Sequence, residues 1–184
     1  MKTPRMTLTL GLGLGLLASL LSRESLAQTK AVLDAGVSQT VNQFNLLDPR
    51  HEELEHRAAG MLVFPQVTKG GIALASEYGE GALLIQGATT EYYSLASASV
   101  GLTAGMATHS EIILFMTPDA LDDFRKSKGW SIGADTGLAV IAKGAGTDYD
   151  SASMKKPILA FVFAEKGLIA DLSLQGSKIN KIKK

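Results

Sequence analysis

Apolar side chains recur at helical spacing over the segment from Lys30 to about Leu47. At 100° per residue they fall within one stripe about 120° wide, which predicts a helix with a single buried face. The stripe consists of Leu33, Val37, Val41, Phe44 and Leu47. The Asp48-Pro49 pair then predicts a second, polar helix over residues 50–57, because Asp is a favoured N-cap and Pro is favoured at the first helical position.

After residue 60 the pattern changes to strands. Met61–Phe64 is a short apolar run that Pro65 is expected to close. Further strand-like stretches cover Ile72–Ser76, Ala82–Gln86, Thr90–Thr103, Glu111–Met116 and Trp130–Lys143, followed by a hairpin of Ile158–Ala164 with Leu168–Leu174. One helix interrupts them, because Thr117-Pro118-Asp119 is a start signal and basic residues precede Gly129.

Small side chains dominate the strand-like segment Ala96–Gly105. Such residues pack only where another backbone or a helix comes very close. Since sequential strands joined by short turns pair antiparallel, the pattern predicts an α+β fold: an antiparallel, strongly curved sheet or partial barrel covered by a few helices. Trp130 is expected to be buried where the helix ending near Gly129 turns back into the sheet.

The first 27 residues have the three-part order of a secretory signal peptide. A basic start with Lys2 and Arg5 precedes about 14 apolar or small residues, and Ser25-Leu26-Ala27 forms a signal-peptidase site. The apolar run is shorter than the ~20 residues of a membrane-spanning helix, which favours cleavage after Ala27 over an uncleaved anchor. We therefore expect an exported protein, periplasmic or envelope-associated, with a single domain over residues 28–184.

Charge and cysteine content exclude several classes of function. Removal of residues 1–27 takes away three basic residues and one acidic residue, so the formal net charge changes from +0 to −2. A domain that is not a polycation is not expected to bind nucleic acid. The absence of cysteine excludes disulfides, thiolate metal sites and a Cys nucleophile.

Two histidines stand in a pattern similar to that of zinc proteases, His51-Glu52-Glu53-Leu54-Glu55-His56. Their spacing is i and i+5, which separates them by about 140° around a helix, so they do not share one ion. A solvated, charged helix face is the preferred interpretation. His109 stands alone beside a strand, without the ordering of a hydrolase triad around it.

Acidic residues offer two further alternatives. The Thr147–Ser151 loop carries two aspartates but lacks the Gly and the bidentate Glu of an EF-hand, and a polar loop is preferred. Glu77, Glu80 and Glu91 would form a carboxylate pair of glycosidase type only if the fold brought two of them together. Strand-edge charge that discourages aggregation explains them more simply. No catalytic residue, metal site or cofactor is predicted.

Five blocks of sequence occur in a fixed order between about Asp48 and Ile182. They are Ala59–Gly71, Tyr78–Leu83, Tyr92–Gly101, Leu114–Thr117 with Phe124 and Lys128–Trp130, and Gly167–Ala170 with Leu174–Ile179. Together they resemble the SYLF family, which is known as a lipid-binding module and, in fungal proteins, as an actin-binding one. Several ordered blocks are far more specific than any single motif.

The resemblance implies a non-enzymatic protein that contacts an anionic phospholipid membrane surface through basic residues. The candidate lipid-binding residues are Lys69, Arg125, Lys126, Lys128, Lys155 and Lys156. Lys69 is carried over from the Phe-Pro-x-Val-x-Lys motif. For residues 125–128 the alternative is charge that only complements a helix dipole. The lysines of residues 178–184 are interpreted as a solvated tail.

Two other classes of function stay open. One is a structural or interaction protein whose sheet edge or small-residue surface binds another envelope protein. The other is a hydrolase whose site the sequence does not reveal. Export argues against cytoplasmic actin as the natural partner.

Overall fold

The computed structural model describes residues 29–72, 74–100, 105–133, 137–141, 152–164, 167–168, 174 and 176–184. The predicted signal peptide and the Thr147–Ser151 loop lie outside the described residues. Among those described, no helix is both long and apolar enough to cross a membrane.

Three helices and nine strands form the described part of the chain. The helices are α1 (Lys30–Leu47), α2 (Arg50–Arg57) and α3 (Pro118–Lys126), and a 3-10 turn covers Ser153–Lys155. The strands are β1 (Gly60–Ile72), β2 (Leu74–Ile85), β3 (Ala88–Val100), β4 (Gly105–Phe115), β5 (Trp130–Ser131), β6 (Leu138–Ile141), β7 (Ile158–Ala164), β8 (Gly167–Leu168) and β9 (Lys178–Ile182).

The strands form one sheet in the order β5-β9-β3-β2-β1-β4-β7-β6, and β8 pairs with β7 outside this path. All described pairings are antiparallel except that of β6 with β7, which is parallel. The sheet is curled into a half-barrel with helices against it, which confirms the predicted α+β class.

Each face of the sheet carries a cluster of buried residues, and successive residues of a strand alternate between the two faces. On the outer face, Val63 and Ala82 pack with α1 and α2. On the inner face, Leu62 and Leu83 pack with Leu121 and Phe124 of α3. Strand β7 contributes to both clusters, which explains why its sequence is apolar without alternation.

The predicted helices are confirmed, with their caps. Of the stripe on α1, Leu33, Val37 and Phe44 are buried. The Asp48 carboxylate accepts a hydrogen bond from the backbone N–H of Arg50 at 2.9 Å. At the start of α3, the Thr117 hydroxyl accepts one from the backbone N–H of Ala120 at 3.2 Å.

Strand boundaries differ more from the predictions. Strand β1 does not end at Pro65 but continues to Ile72, because a β-bulge at residues 63–67 accommodates the missing N–H of the proline. The predicted strand Trp130–Lys143 is replaced by the short strands β5 and β6. The predicted hairpin of Ile158–Ala164 begins as expected, since β8 pairs antiparallel with β7.

Close backbone approach explains Gly81, whereas the close packing predicted for Ala96–Gly105 does not hold for Ala96 and Ala98, which are exposed. A Cβ at Gly81 would collide with the carbonyl oxygen of Val63 and with the ring of Phe64 on the bulged strand β1. Residue 81 therefore has to be glycine for β1 and β2 to pack at this separation.

Candidate functional site

A group of basic side chains lies where α3 ends and the sheet edge begins. Strand β5 pairs with β9 through Trp130 opposite Ile179 and Ser131 opposite Lys178. This pairing places the C-terminal turn of α3 next to β9, although some 50 residues separate them in sequence. We call this group the basic patch; its members are Arg125, Lys126, Lys128, Lys178 and Lys181.

Gly129 shows how closely the two parts of the basic patch approach each other. A Cβ at this residue would lie 3.1 Å from Cε of Lys178 and 2.9 Å from the side-chain oxygen of Asn180. Its φ of +103° is also one that other residues rarely adopt. Glycine therefore permits the stem of Lys178 to cross the backbone between Lys128 and Trp130.

Glu91 on β3 lies beneath the basic patch and binds two of its members. Its carboxylate accepts hydrogen bonds from Arg125 Nη2 at 3.1 Å, from Lys181 Nζ at 2.7 Å and from the Tyr93 hydroxyl at 2.6 Å. Burial raises the pKa of Glu91, but these hydrogen bonds outweigh it and lower the pKa from 4.5 to about 2. Arg125 and Lys181 thus join α3 and β9 to the sheet.

The remaining lysines of the basic patch face solvent. Lys126 Nζ lies 3.6 Å from Asp122, and both side chains are mostly exposed. Within the described residues, neither Lys128 nor Lys178 makes an ion pair, and both are exposed. These two ammonium groups, with the weakly paired Lys126, are therefore available to an anionic ligand.

The other predicted lipid-binding residues lie elsewhere. Lys69 is on the inner face of β1, where its Nζ lies 2.9 Å from Glu77. Leu62 on β1 lies in the same row of the sheet as Glu91, and Lys69 is seven residues further along β1. Lys69 is therefore about 23 Å from the row that contains Glu91. Lys155 and Lys156 precede β7 near the opposite edge of the sheet. The six predicted residues do not converge on one surface.

The interpretation of residues 178–184 as a solvated tail is wrong. Residues 178–182 form β9, which pairs with both β3 and β5. Ile179 is buried in the inner cluster. Lys184 is nearly buried, and its Nζ lies 2.6 Å from Glu80. The isoleucines at positions 179 and 182 are three residues apart, so the segment carries no period-2 signal for a strand.

Sequence reasoning also missed a buried polar cluster on the inner face. His109 and Glu111 are two residues apart on β4, so they share a face, and His109 Nε2 lies 2.8 Å from Glu111 Oε1. Burial raises the pKa of Glu111. The contact with His109 lowers this pKa, and the nearby Glu77 raises it further. Lys69 and Ser97 both bind Glu77 beside them. Among the described residues, no group of three His, Asp or Glu side chains is placed to hold a metal ion.

The two histidines of α2 lie in different surroundings. His51 is buried, its ring stacks on Phe44 at a centroid distance of 3.9 Å, and its Nδ1 lies 2.6 Å from the Phe44 carbonyl oxygen. His56 is exposed, with its Nε2 3.9 Å from Glu52. The expectation of a solvated helix face holds for His56 but is wrong for His51, which is part of the core.

Residues 96–184 match the model of the Ysc84 family, described as Las17-binding protein actin regulator. The match agrees with the SYLF resemblance and confirms it over this range. It includes the blocks around α3 and β9 and hence all five members of the basic patch. No curated protein matches the chain.

Proposed function

We propose that this chain is a non-enzymatic lipid-binding protein of the cell envelope. Its C-terminal half matches a family of lipid- and actin-binding domains. It contacts anionic phospholipid through the basic patch. The observation that carries the proposal is the pairing of β9 with β5, since it adds Lys178 and Lys181 to the cations at the end of α3. Cations from two distant segments then lie at one edge of the sheet, with Lys181 beside Arg125 at Glu91 and Lys178 beside Gly129.

The choice of lipid over actin rests on the predicted export. The first 27 residues have the pattern of a secretory signal peptide, and an exported protein meets membrane phospholipid rather than cytoplasmic actin. Near an anionic surface each lysine or arginine contributes about 1 kcal/mol, so an affinity of this kind needs several charges together. A single cation, such as Lys69 paired with Glu77, would contribute little.

Charge reversal tests the proposal. Arg125 is left unchanged because a Glu there would face Glu91, and its repulsion would disturb the fold. The double change Lys128→Glu with Lys178→Glu removes two attractions and adds two repulsions, about 4 kcal/mol, which predicts roughly a thousandfold weaker binding to anionic vesicles. Binding is measured by co-sedimentation with phosphatidylglycerol-containing vesicles and should weaken with salt.

The matched control is Lys155→Glu with Lys156→Glu, which changes the net charge equally at exposed positions near the other edge of the sheet. The basic patch predicts a much smaller effect for this pair. Equal losses from both pairs would mean that net charge alone governs binding. A loss confined to the control pair would place the lipid site at residues 155–156. Circular dichroism of each variant checks the fold.

A further inference from the structure

Among the residues that the structure describes, no helix covers one part of the outer face. Strands β1 to β4 are 11 to 13 residues long, and α1 packs on β1 and β2. Ala82 packs in the core with α1, so by alternation Tyr78 lies on the same face, further along β2. Tyr78 is 50% exposed there, and Met106 on β4 is 83% exposed.

Strand pairing places these two residues on one surface. One row of direct neighbours runs across five adjacent strands and consists of Lys178, Ala96, Tyr78, Thr68 and Thr108. In the next row, Met106 is paired with Gly70. From strand and residue spacings, the Cα atoms of Tyr78 and Met106 are about 12 Å apart. Only small or uncharged side chains separate them.

Helix α1 forms a wall beside this surface. A cleft of about 580 Å³ runs between α1 and the residues Pro65 and Ser110 of the sheet, and its lining carries no charged side chain. Val32 contributes to that lining and is 54% exposed. Ser110 is two residues from Thr108 on the same face of β4, so the cleft opens onto the row that contains Tyr78. We call the two rows and this cleft the ledge.

The acidic groups at the border of the ledge are already neutralised. Asp34 accepts hydrogen bonds from Lys30 Nζ at 2.7 Å and from the Tyr92 hydroxyl at 2.8 Å. Glu80 accepts them from Lys184 Nζ at 2.6 Å and from the Tyr78 hydroxyl at 3.1 Å. An anionic surface that approaches the ledge therefore meets no free carboxylate from these two residues.

We propose that the ledge is the face of the protein that lies on an anionic bilayer, with Tyr78, Met106 and Val32 inserted at the level of the acyl chains. This inference rests on the proposed function and adds an apolar contact to it. Tyr suits the interface because its ring is apolar and its hydroxyl is polar. Helix α3 packs on the inner face and the ledge is on the outer face, so Lys178 at the edge of the sheet is the member of the basic patch that borders the ledge. There its ammonium reaches phosphate while the neighbouring side chains reach apolar chains.

The absence of cysteine from the chain permits a direct test. Met106→Cys is labelled with an environment-sensitive fluorophore, and Leu46→Cys is the matched control, since Leu46 is 87% exposed near the C-terminal end of α1. Vesicles containing phosphatidylglycerol should shift the emission of the label at residue 106 to shorter wavelength, and brominated lipid should quench it. The label at residue 46 should remain in water.

A binding measurement accompanies the labelling. Tyr78→Ser with Met106→Ser should weaken vesicle binding about tenfold or more, because each removes apolar area that leaves water on insertion. Leu46→Ser should leave binding unchanged. If the wild-type protein binds vesicles but the label at 106 stays in water, the ledge is wrong and the basic patch stands.

The remaining outcomes also decide the matter. If the wild-type protein binds no vesicle at any salt concentration, the proposed function fails and the ledge fails with it. If the label at 106 becomes buried as protein concentration rises without vesicles, a second copy of the chain covers the face, and the assignment to lipid is overturned.

Discussion

Glu91 offers a quantitative test of how the basic patch is held, through the change Glu91→Gln. The pKa of Glu91 is lowered from 4.5 to about 2. At 1.36 kcal/mol per pKa unit this corresponds to at most about 3 kcal/mol of stability. Arg125 and Lys181 keep 40% and 58% of their side-chain area exposed, so solvent screens both pairs. We expect Glu91→Gln to lower the free energy of unfolding by about 1–2 kcal/mol at pH 7.

The pH dependence identifies the cause of this loss. A carboxyl with a lowered pKa stabilises the folded state fully above its unfolded-state value near 4.5, and the contribution is lost as pH falls towards about 2. The difference in unfolding free energy between wild type and Glu91→Gln should therefore be constant from pH 7 to about 5 and shrink by more than half by pH 3.

Urea denaturation followed by circular dichroism gives these free energies. Glu53→Gln is the matched control, because Glu53 makes a 3.5 Å ion pair with Arg57 in which both side chains are mostly exposed. It should change stability by less than about 0.5 kcal/mol. A Glu91→Gln effect that is the same at pH 7 and pH 3 would contradict the reasoning, since it would then come from packing rather than from charge.

Two further predictions concern packing and are also read from urea midpoints. Gly81→Ala should lower the free energy of unfolding by about 1–3 kcal/mol, because the new Cβ meets the backbone of β1. Gly133→Ala should leave it unchanged, because no atom lies within 4 Å of the Cβ position. Equal effects would show that β1 relaxes easily. Trp130→Ala should lower the free energy of unfolding by about 2–4 kcal/mol, because the half-buried Trp130 ring packs edge-on against Phe124 at a centroid distance of 5.3 Å. An unchanged urea midpoint would contradict this contact.

Local features of the fold were predictable from the sequence, because short-range physics determines them. The apolar stripe of α1, the cap at Asp48 and the start of α3 at Thr117 each depend on residues within a few positions. Trp130 was expected to be buried and is half-buried, in the strand β5 at the edge of the sheet.

Long-range pairing was not predictable in the same way. The neighbours of β9 lie at residues 92–96 and 130–131, and no local pattern specifies that distance. The basic patch was consequently predicted only in its α3 half, and Glu91 was assigned to strand-edge charge rather than to Arg125 and Lys181. Pro65 was misleading because a bulge depends on the partner strands as much as on the proline itself.

The position of β9 between β5 and β3 also has a kinetic consequence. Lys181 and Glu91, which this pairing joins, are 90 residues apart, so a large loop must close before β3 gains its second neighbour. Contacts of such separation form late and slow the folding of a domain. Until β9 is in place, β3 presents the unpaired edge of a 13-residue strand, to which another unfolded chain can add. Refolding at high protein concentration should therefore lose material to aggregates at the step in which residues 178–182 enter the sheet.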